Sequence, residues 1–150
     1  MLDTDKMLEE KYRISVYDIF EKYDEAVFRQ LEYNILAEAL KQENVVIATG
    51  GGASCYLNAM QLINEAGLSI YIELSLKSLS TRLLHAKVTR PLTKNKTEEE
   101  LLAFVAGQLV VRAPIYEQAH LTVKGEDLDL TDLIHAINCF EPFDIRLRMR

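Results

Sequence analysis

A chain of 150 residues with 49% hydrophobic and 27% charged side chains can bury a core without disulfides or a structural metal, and is too apolar to be disordered. Its formal net charge of −6, with no basic stripe, excludes a surface built to neutralise a nucleic-acid backbone. A small anion held by a few placed arginines is compatible with that balance.

Apolar periodicity alternates helices with short β-branched runs, the pattern of an α/β layer fold. Met1 to Thr4 reads as a strand end, followed by a helix over Lys6 to Tyr12. Ser15 is placed to cap a short helix through Tyr23, and Glu25 to Gln42 forms a longer one with Phe28, Leu31, Ile35 and Ala39 on its core face. Val45 to Thr49 is a continuous apolar run ended by Gly50, Gly51 and Gly52, as expected of a strand buried on both faces of a parallel sheet. Ser69 to Leu74 reads as a second such strand, and Ser75 caps a helix carrying Leu76, Leu79 and Leu83. His85 to Lys96 turns polar and basic and reads as a mobile loop. Thr97 and Glu100 then have capping-box spacing before a helix with Leu101, Phe104, Val105 and Leu109. Leu121 to Val123 is a third strand and Leu130 to Phe140 a last helix. The tail, 141–150, carries three arginines and no evident partner.

The first ten residues carry four acids and no apolar run, so they do not read as a signal peptide, and no stretch has the length of a membrane span. Cys55 and Cys139 form no CxxC pair and are expected to be core or half-buried thiols in a reducing cytoplasm. His85, His120 and His135 show neither metal nor triad spacing and read as structural or solvated.

Several residues have a chemical reading beside a plain one. Asp3 and Asp5 are one residue apart; two neighbouring acids suit a divided role, one near a metal-water shell and one accepting a hydroxyl proton, whereas the plain reading is a pair of solvated acids, one of them a helix cap. Gly50 to Gly52 allow positive φ and backbone contact to a ligand at the carboxyl end of a strand; one glycine would serve a simple turn. Arg29 with Glu32 makes a surface i,i+3 pair on the plain reading. Arg112 sits at an expected helix end, where a cation complements the dipole. Arg90, beside Pro91 in the polar loop, is of the kind that closes over a transferring phosphoryl group.

Taken in order, Leu2-Asp3-Thr4-Asp5, Asp18-Ile19-Phe20, Phe28-Arg29 with Glu32, Thr49-Gly50-Gly51-Gly52, Arg90-Pro91-Leu92 and Arg112-Ala113-Pro114 with Tyr116 closely resemble shikimate kinase, a small P-loop kinase family. The resemblance runs from Leu2 to about Phe140. It implies a three-layer α/β fold with a parallel sheet over 1–140, a lid around 85–97, and phosphoryl transfer from ATP, with Mg2+, to the 3-hydroxyl of shikimate. Asp5 would bind the shikimate hydroxyls and orient or deprotonate the attacking one, and Asp3 would meet magnesium through water. Arg29 and Arg112 would clamp the shikimate carboxylate, Gly50 to Gly52 would give it backbone contact, and Arg90 would reach the nucleotide and the transferring phosphate. A complete chain of this kind is expected to be a cytoplasmic monomer.

Family members begin with a strand, a GxxxxGK[ST] loop and a helix, and none of the six glycines of this chain opens that pattern. Two expectations follow: an N-terminally incomplete shikimate kinase, or a non-catalytic descendant that binds shikimate or a partner protein. The absent strand would lie mid-sheet, leaving the strands that start at Leu2 and Val45 without a shared neighbour and with exposed apolar edges.

Overall fold

The computed structural model describes residues 1–86 and 96–140. Arg90, Pro91 and Leu92, and the arginine-bearing tail, lie outside the described residues. The rest falls into two compact units, residues 1–66 and residues 67–86 with 96–140.

The first unit opens on strand β1 (Leu2–Asp3), which runs straight into helix α1 (Thr4–Tyr12). Asp3 makes that junction: its backbone is extended, and its Oδ1 accepts the N–H groups of Asp5 at 3.0 Å and Lys6 at 3.2 Å. These are two of the orphan donors of a first helical turn. Helix α1 ends at Arg13, whose left-handed φ of 56° lets its N–H reach back to the Glu9 carbonyl. Helix α2 (Val16–Lys22) is capped by Ser15 as its sequence predicts, and α3 (Glu25–Ala39) by Asp24, whose Oδ1 accepts from Val27 N–H at 2.8 Å. The core is Leu8, Ile19, Phe28 and Ile35, with Met7, Ile14, Val16, Phe20 and Leu31 packed around it. The helical stripe on α3 therefore faces where its period directs it.

Strand β2 (Ile47–Ala48) is two residues long, shorter than the five-residue run suggests, and it is not buried on both faces: Val46 is 69% exposed. It pairs in parallel with β1, Leu2 against Ile47 and Asp3 against Ala48. The expectation that these two strands depend on a shared neighbour lying between them is corrected: each is the other's direct neighbour, with Leu2 N–H donating to the Val46 carbonyl at 2.8 Å. Among the described residues β2 pairs with β1 alone, and exposed apolar residues of the kind expected at a sheet edge, Val46 among them, are present. After Gly50–Gly52 the chain forms helix α4 (Ala59–Ala66), an element the sequence reading missed although its apolar residues have helical spacing and Gly67 follows as a stop.

In the second unit, β3 (Ile70–Glu73) and β4 (Leu121–Lys124) form a parallel pair in register, Ile70 with Leu121 through Glu73 with Lys124. Ile72 on β3 is 51% exposed. Ser69 and His120 clasp the entrance of this pair: His120 N–H donates to Ser69 Oγ at 2.9 Å, and Ser69 N–H donates to His120 Nδ1 at 3.2 Å. Helix α5 (Leu76–Leu84) is capped by Ser75 and packs on α6 (Glu98–Tyr116), which starts with both halves of the Thr97–Glu100 capping box. Leu101 and Val105 supply its buried face. Helix α6 runs on through Pro114, so Arg112 lies inside a helix and not at its end. Helix α7 (Leu130–Cys139) closes the described chain. Among the described residues no helix is long and apolar enough to cross a membrane.

Candidate active site

Within the first unit, residues far apart in sequence converge at the Gly50–Gly52 loop. Arg29 and Glu32 lie one turn apart on α3 and are both buried, 8% and 5% exposed. Arg29 Nη1 donates to Glu32 Oε2 at 2.7 Å. The i,i+3 spacing was a correct sign of pairing, but this is a buried ion pair and not the surface pair that the plain reading gives. Arg29 is further bound to Glu25, the first residue of α3: Nε and Nη2 both donate to Glu25 Oε1, at 3.2 and 3.0 Å. The guanidinium lies 5.0 Å from the Phe28 ring centroid and 4.3 Å from that of Tyr56, within cation–π range of both. Burial disfavours the Arg29 charge, but the hydrogen bonds to Glu32 and Glu25 outweigh it and raise its pKa above the ordinary arginine value. The group is a fixed cation.

The glycines matter for space and not for backbone angle. No glycine among the described residues has positive φ, which corrects that part of the sequence reading. A Cβ on Gly50 would lie 3.1 Å from Asp5 Oδ1 and 3.3 Å from Glu32 Oε1, and one on Gly52 would fall on Arg29 Nη1 and 2.9 Å from its Cζ. Asp5, Glu32, Arg29 and the bare loop therefore surround one place: an exposed carboxylate from α1, a buried pair from α3, and backbone following β2.

Of Asp3 and Asp5, one is a helix cap, as the plain reading holds. Asp3 spends Oδ1 on the start of α1, whereas Asp5 stands in the first turn beside Gly50. Arg112 is half-buried in α6, in the other unit. Glu25, Phe28 and Tyr56 were missed as partners of Arg29. The i,i+4 spacing of Glu25 was a usable signal; nothing local marks Tyr56, which arrives from 27 positions away in sequence. Cys55 is half-buried as expected, but Cys139 is exposed, with Sγ 3.5 Å from His135 Nε2 one turn back on α7.

A family model described as shikimate kinase matches residues 1–137. The chain is 37% identical over 137 residues to the shikimate kinase of Parabacteroides distasonis, covering 91% of this chain and 79% of that protein. The chain belongs to the shikimate kinase family. The shikimate kinase of Aquifex aeolicus is 33% identical over 124 residues, 83% of this chain and 70% of that one. Among solved structures, the Bacteroides thetaiotaomicron shikimate kinase matches with a TM-score of 0.81 at 36% identity, over 91% of this chain and 78% of that one. An Acinetobacter baumannii shikimate kinase in complex with shikimate matches with a TM-score of 0.78 at 29% identity, over 93% and 80%.

Membership of a family of ATP-dependent small-molecule kinases raises the question of what the described residues can hold. A triphosphate needs a run of free backbone amides and a lysine. The glycine loop of this chain is packed against Arg29, Asp5 and Glu32 and carries no lysine, so it does not fit that role. No group of three or more His, Cys, Asp or Glu side chains gathers for a metal among the described residues. Magnesium commonly keeps most of its waters and takes only one or two carboxylates beside phosphate oxygens, which is as much as Asp3 could offer. The convergent groups of the first unit, a buried guanidinium, its two carboxylate partners and the nearby Asp5, are the candidate site.

Proposed function

We propose that this chain carries the shikimate-binding side of a shikimate kinase, acting in phosphoryl transfer from ATP to the 3-hydroxyl of shikimate. One observation carries the reading: Arg29 is buried on Glu32, stacked between Phe28 and Tyr56, and set against a loop with no side chain at Gly52. A guanidinium held in one plane by its partners suits a planar carboxylate, because a fork of parallel N–H donors matches two carboxylate oxygens. Gly50, Gly51 and Gly52 would let the ring of the substrate approach the backbone. Asp5, exposed and next to Gly50, would accept the hydroxyl hydrogen and orient the attacking oxygen.

Arg112 completes the carboxylate clamp on the strength of its motif, and Arg90 acts from the lid at 85–97 on the nucleotide and the transferring phosphate. Asp3, with one oxygen given to the α1 cap, would meet magnesium through water. ATP supplies the phosphoryl group; the residues of this chain bind and orient the acceptor.

A second reading is favoured by one specific feature, the absence of GxxxxGK[ST] within these 150 residues: a shikimate-binding or protein-interacting family member without catalysis. Calorimetric titration with shikimate, followed by a coupled assay with ATP and magnesium, separates the two. Binding lost in Arg29→Ala together with turnover supports the kinase; the same binding without turnover supports the second reading. Binding that is indifferent to Arg29→Ala removes the acceptor assignment from both.

A further inference from the structure

The carboxylate-facing edge of Arg29 already has an occupant. Glu25 Oε1 alone takes both Nε and Nη2, at 3.2 and 3.0 Å, and also accepts from the Tyr56 hydroxyl at 3.1 Å. The Glu32 contact is on the other side, at Nη1. Two carboxylates on one guanidinium leave the cluster with an excess negative charge, which opposes an arriving anion. The two are unequal. Glu32 has a 6% exposed side chain and Glu25 a 47% exposed one. Glu25 is also the first residue of α3, where the helix dipole favours a carboxylate that turns out to solvent.

We propose that Glu25 is a specificity-determining residue, an internal carboxylate that competes with the ligand carboxylate for the Nε–Nη2 edge of Arg29 and is displaced by it. Glu25 holds the edge through a single oxygen, whereas a ligand carboxylate aligned with the fork presents two, the stronger geometry. A ligand making a weaker or misaligned contact does not displace Glu25 and is rejected, so the residue lowers affinity for the right acid while excluding others. Its departure frees the Tyr56 hydroxyl to donate to the incoming group. This inference rests on the reading of Arg29 as the carboxylate ligand.

The experiment compares the full chain with Glu25→Gln by calorimetry, using shikimate and its methyl ester, and follows the Arg29 Nε–H resonance by NMR during titration with acetate. A competitor predicts about a tenfold gain in shikimate affinity for the variant, no gain for the neutral ester, and acetate saturation of the Arg29 signal at lower concentration. Weaker shikimate binding in the variant would make Glu25 a positioning residue for Arg29 and overturn the proposal, as would equal affinity. If shikimate binds neither protein but acetate still reaches Arg29 more readily in the variant, the competitor stands and the shikimate reading falls. An Arg29 signal that ignores acetate in both proteins overturns the competitor itself.

Discussion

Gly52 and Arg29 occupy adjoining space with no room for another atom: a Cβ at position 52 would sit on the guanidinium, 2.9 Å from Cζ and 3.0 Å from Nη2. A long side chain would ordinarily move aside. This one is pinned by Glu32 at 2.7 Å and by Glu25 at 3.0 Å, so the clash cannot relax cheaply. Gly52→Ala is expected to destabilise the protein by about 1–3 kcal/mol, as overpacking does, and to weaken shikimate binding further by tilting the fork. Urea unfolding and calorimetry on the same variant measure the two losses. An unchanged affinity would show that the plane of Arg29 does not matter to the ligand.

Removing Arg29 should cost more than removing its charge partner together with it. Arg29→Ala leaves the Glu32 carboxylate buried without its cation, and breaking such a pair from one side costs roughly 3–5 kcal/mol. Adding Glu32→Gln to Arg29→Ala removes the uncompensated charge and should restore a large part of that loss. Denaturant midpoints for the single and double variants, compared as a cycle, check this. A double variant no more stable than Arg29→Ala alone would contradict the buried-charge account.

Glu126 predicts an acid-dependent term in stability. Its Oε1 accepts the Ser75 N–H at 2.6 Å, at the start of α5, and this backbone bond, with the hydroxyls of Ser75 and Ser78, lowers its pKa from 4.5 to about 2. A carboxyl depressed in the folded state binds fewer protons there than in the unfolded chain. Its stabilisation is therefore complete above 4.5 and is lost as pH falls from there through about 2. Glu126→Gln should flatten the fall in thermal midpoint across that interval and change little near neutrality in slope. A parent-like acid slope in the variant would place the proton uptake elsewhere.

Arg13 ends α1 with φ at 56°, a left-handed conformation that costs a side-chain-bearing residue roughly 1–2 kcal/mol. Glycine reaches it without that cost but loses more freedom on folding. Arg13→Gly is expected to be a net gain of about 0.5–1 kcal/mol. Equilibrium unfolding reads the sign directly; a loss would mean that the arginine side chain contributes more than the strain removes.

Much of the fold was legible because it is written locally. Ser15, Ser75, Thr97 and Glu100 announce helix starts through bonds to residues three positions away, and the Phe28–Ile35 stripe needs only the helical period to show which face is buried. Strand extent was less legible. Val45 to Thr49 has the composition of a doubly covered strand, but how much of it joins a ladder depends on partners elsewhere, and only Ile47 and Ala48 find one. That β1 pairs directly with β2 could not be read from either segment, since pairing is a relation between them.

The candidate site shows the same division. Sequence alone determined the acidic balance of the chain, its few arginines and its one glycine cluster, and the order of its motifs was enough to indicate the family. Tertiary structure decided what those groups do for one another. It buried the Arg29–Glu32 pair, brought Tyr56 onto the guanidinium, set Gly52 where a single methyl group would not fit, and placed Glu25 across the Nε–Nη2 edge of Arg29. The reason is physical: residue type and spacing fix charge and local geometry, whereas burial, stacking and competition for a donor exist only between segments that folding has brought together.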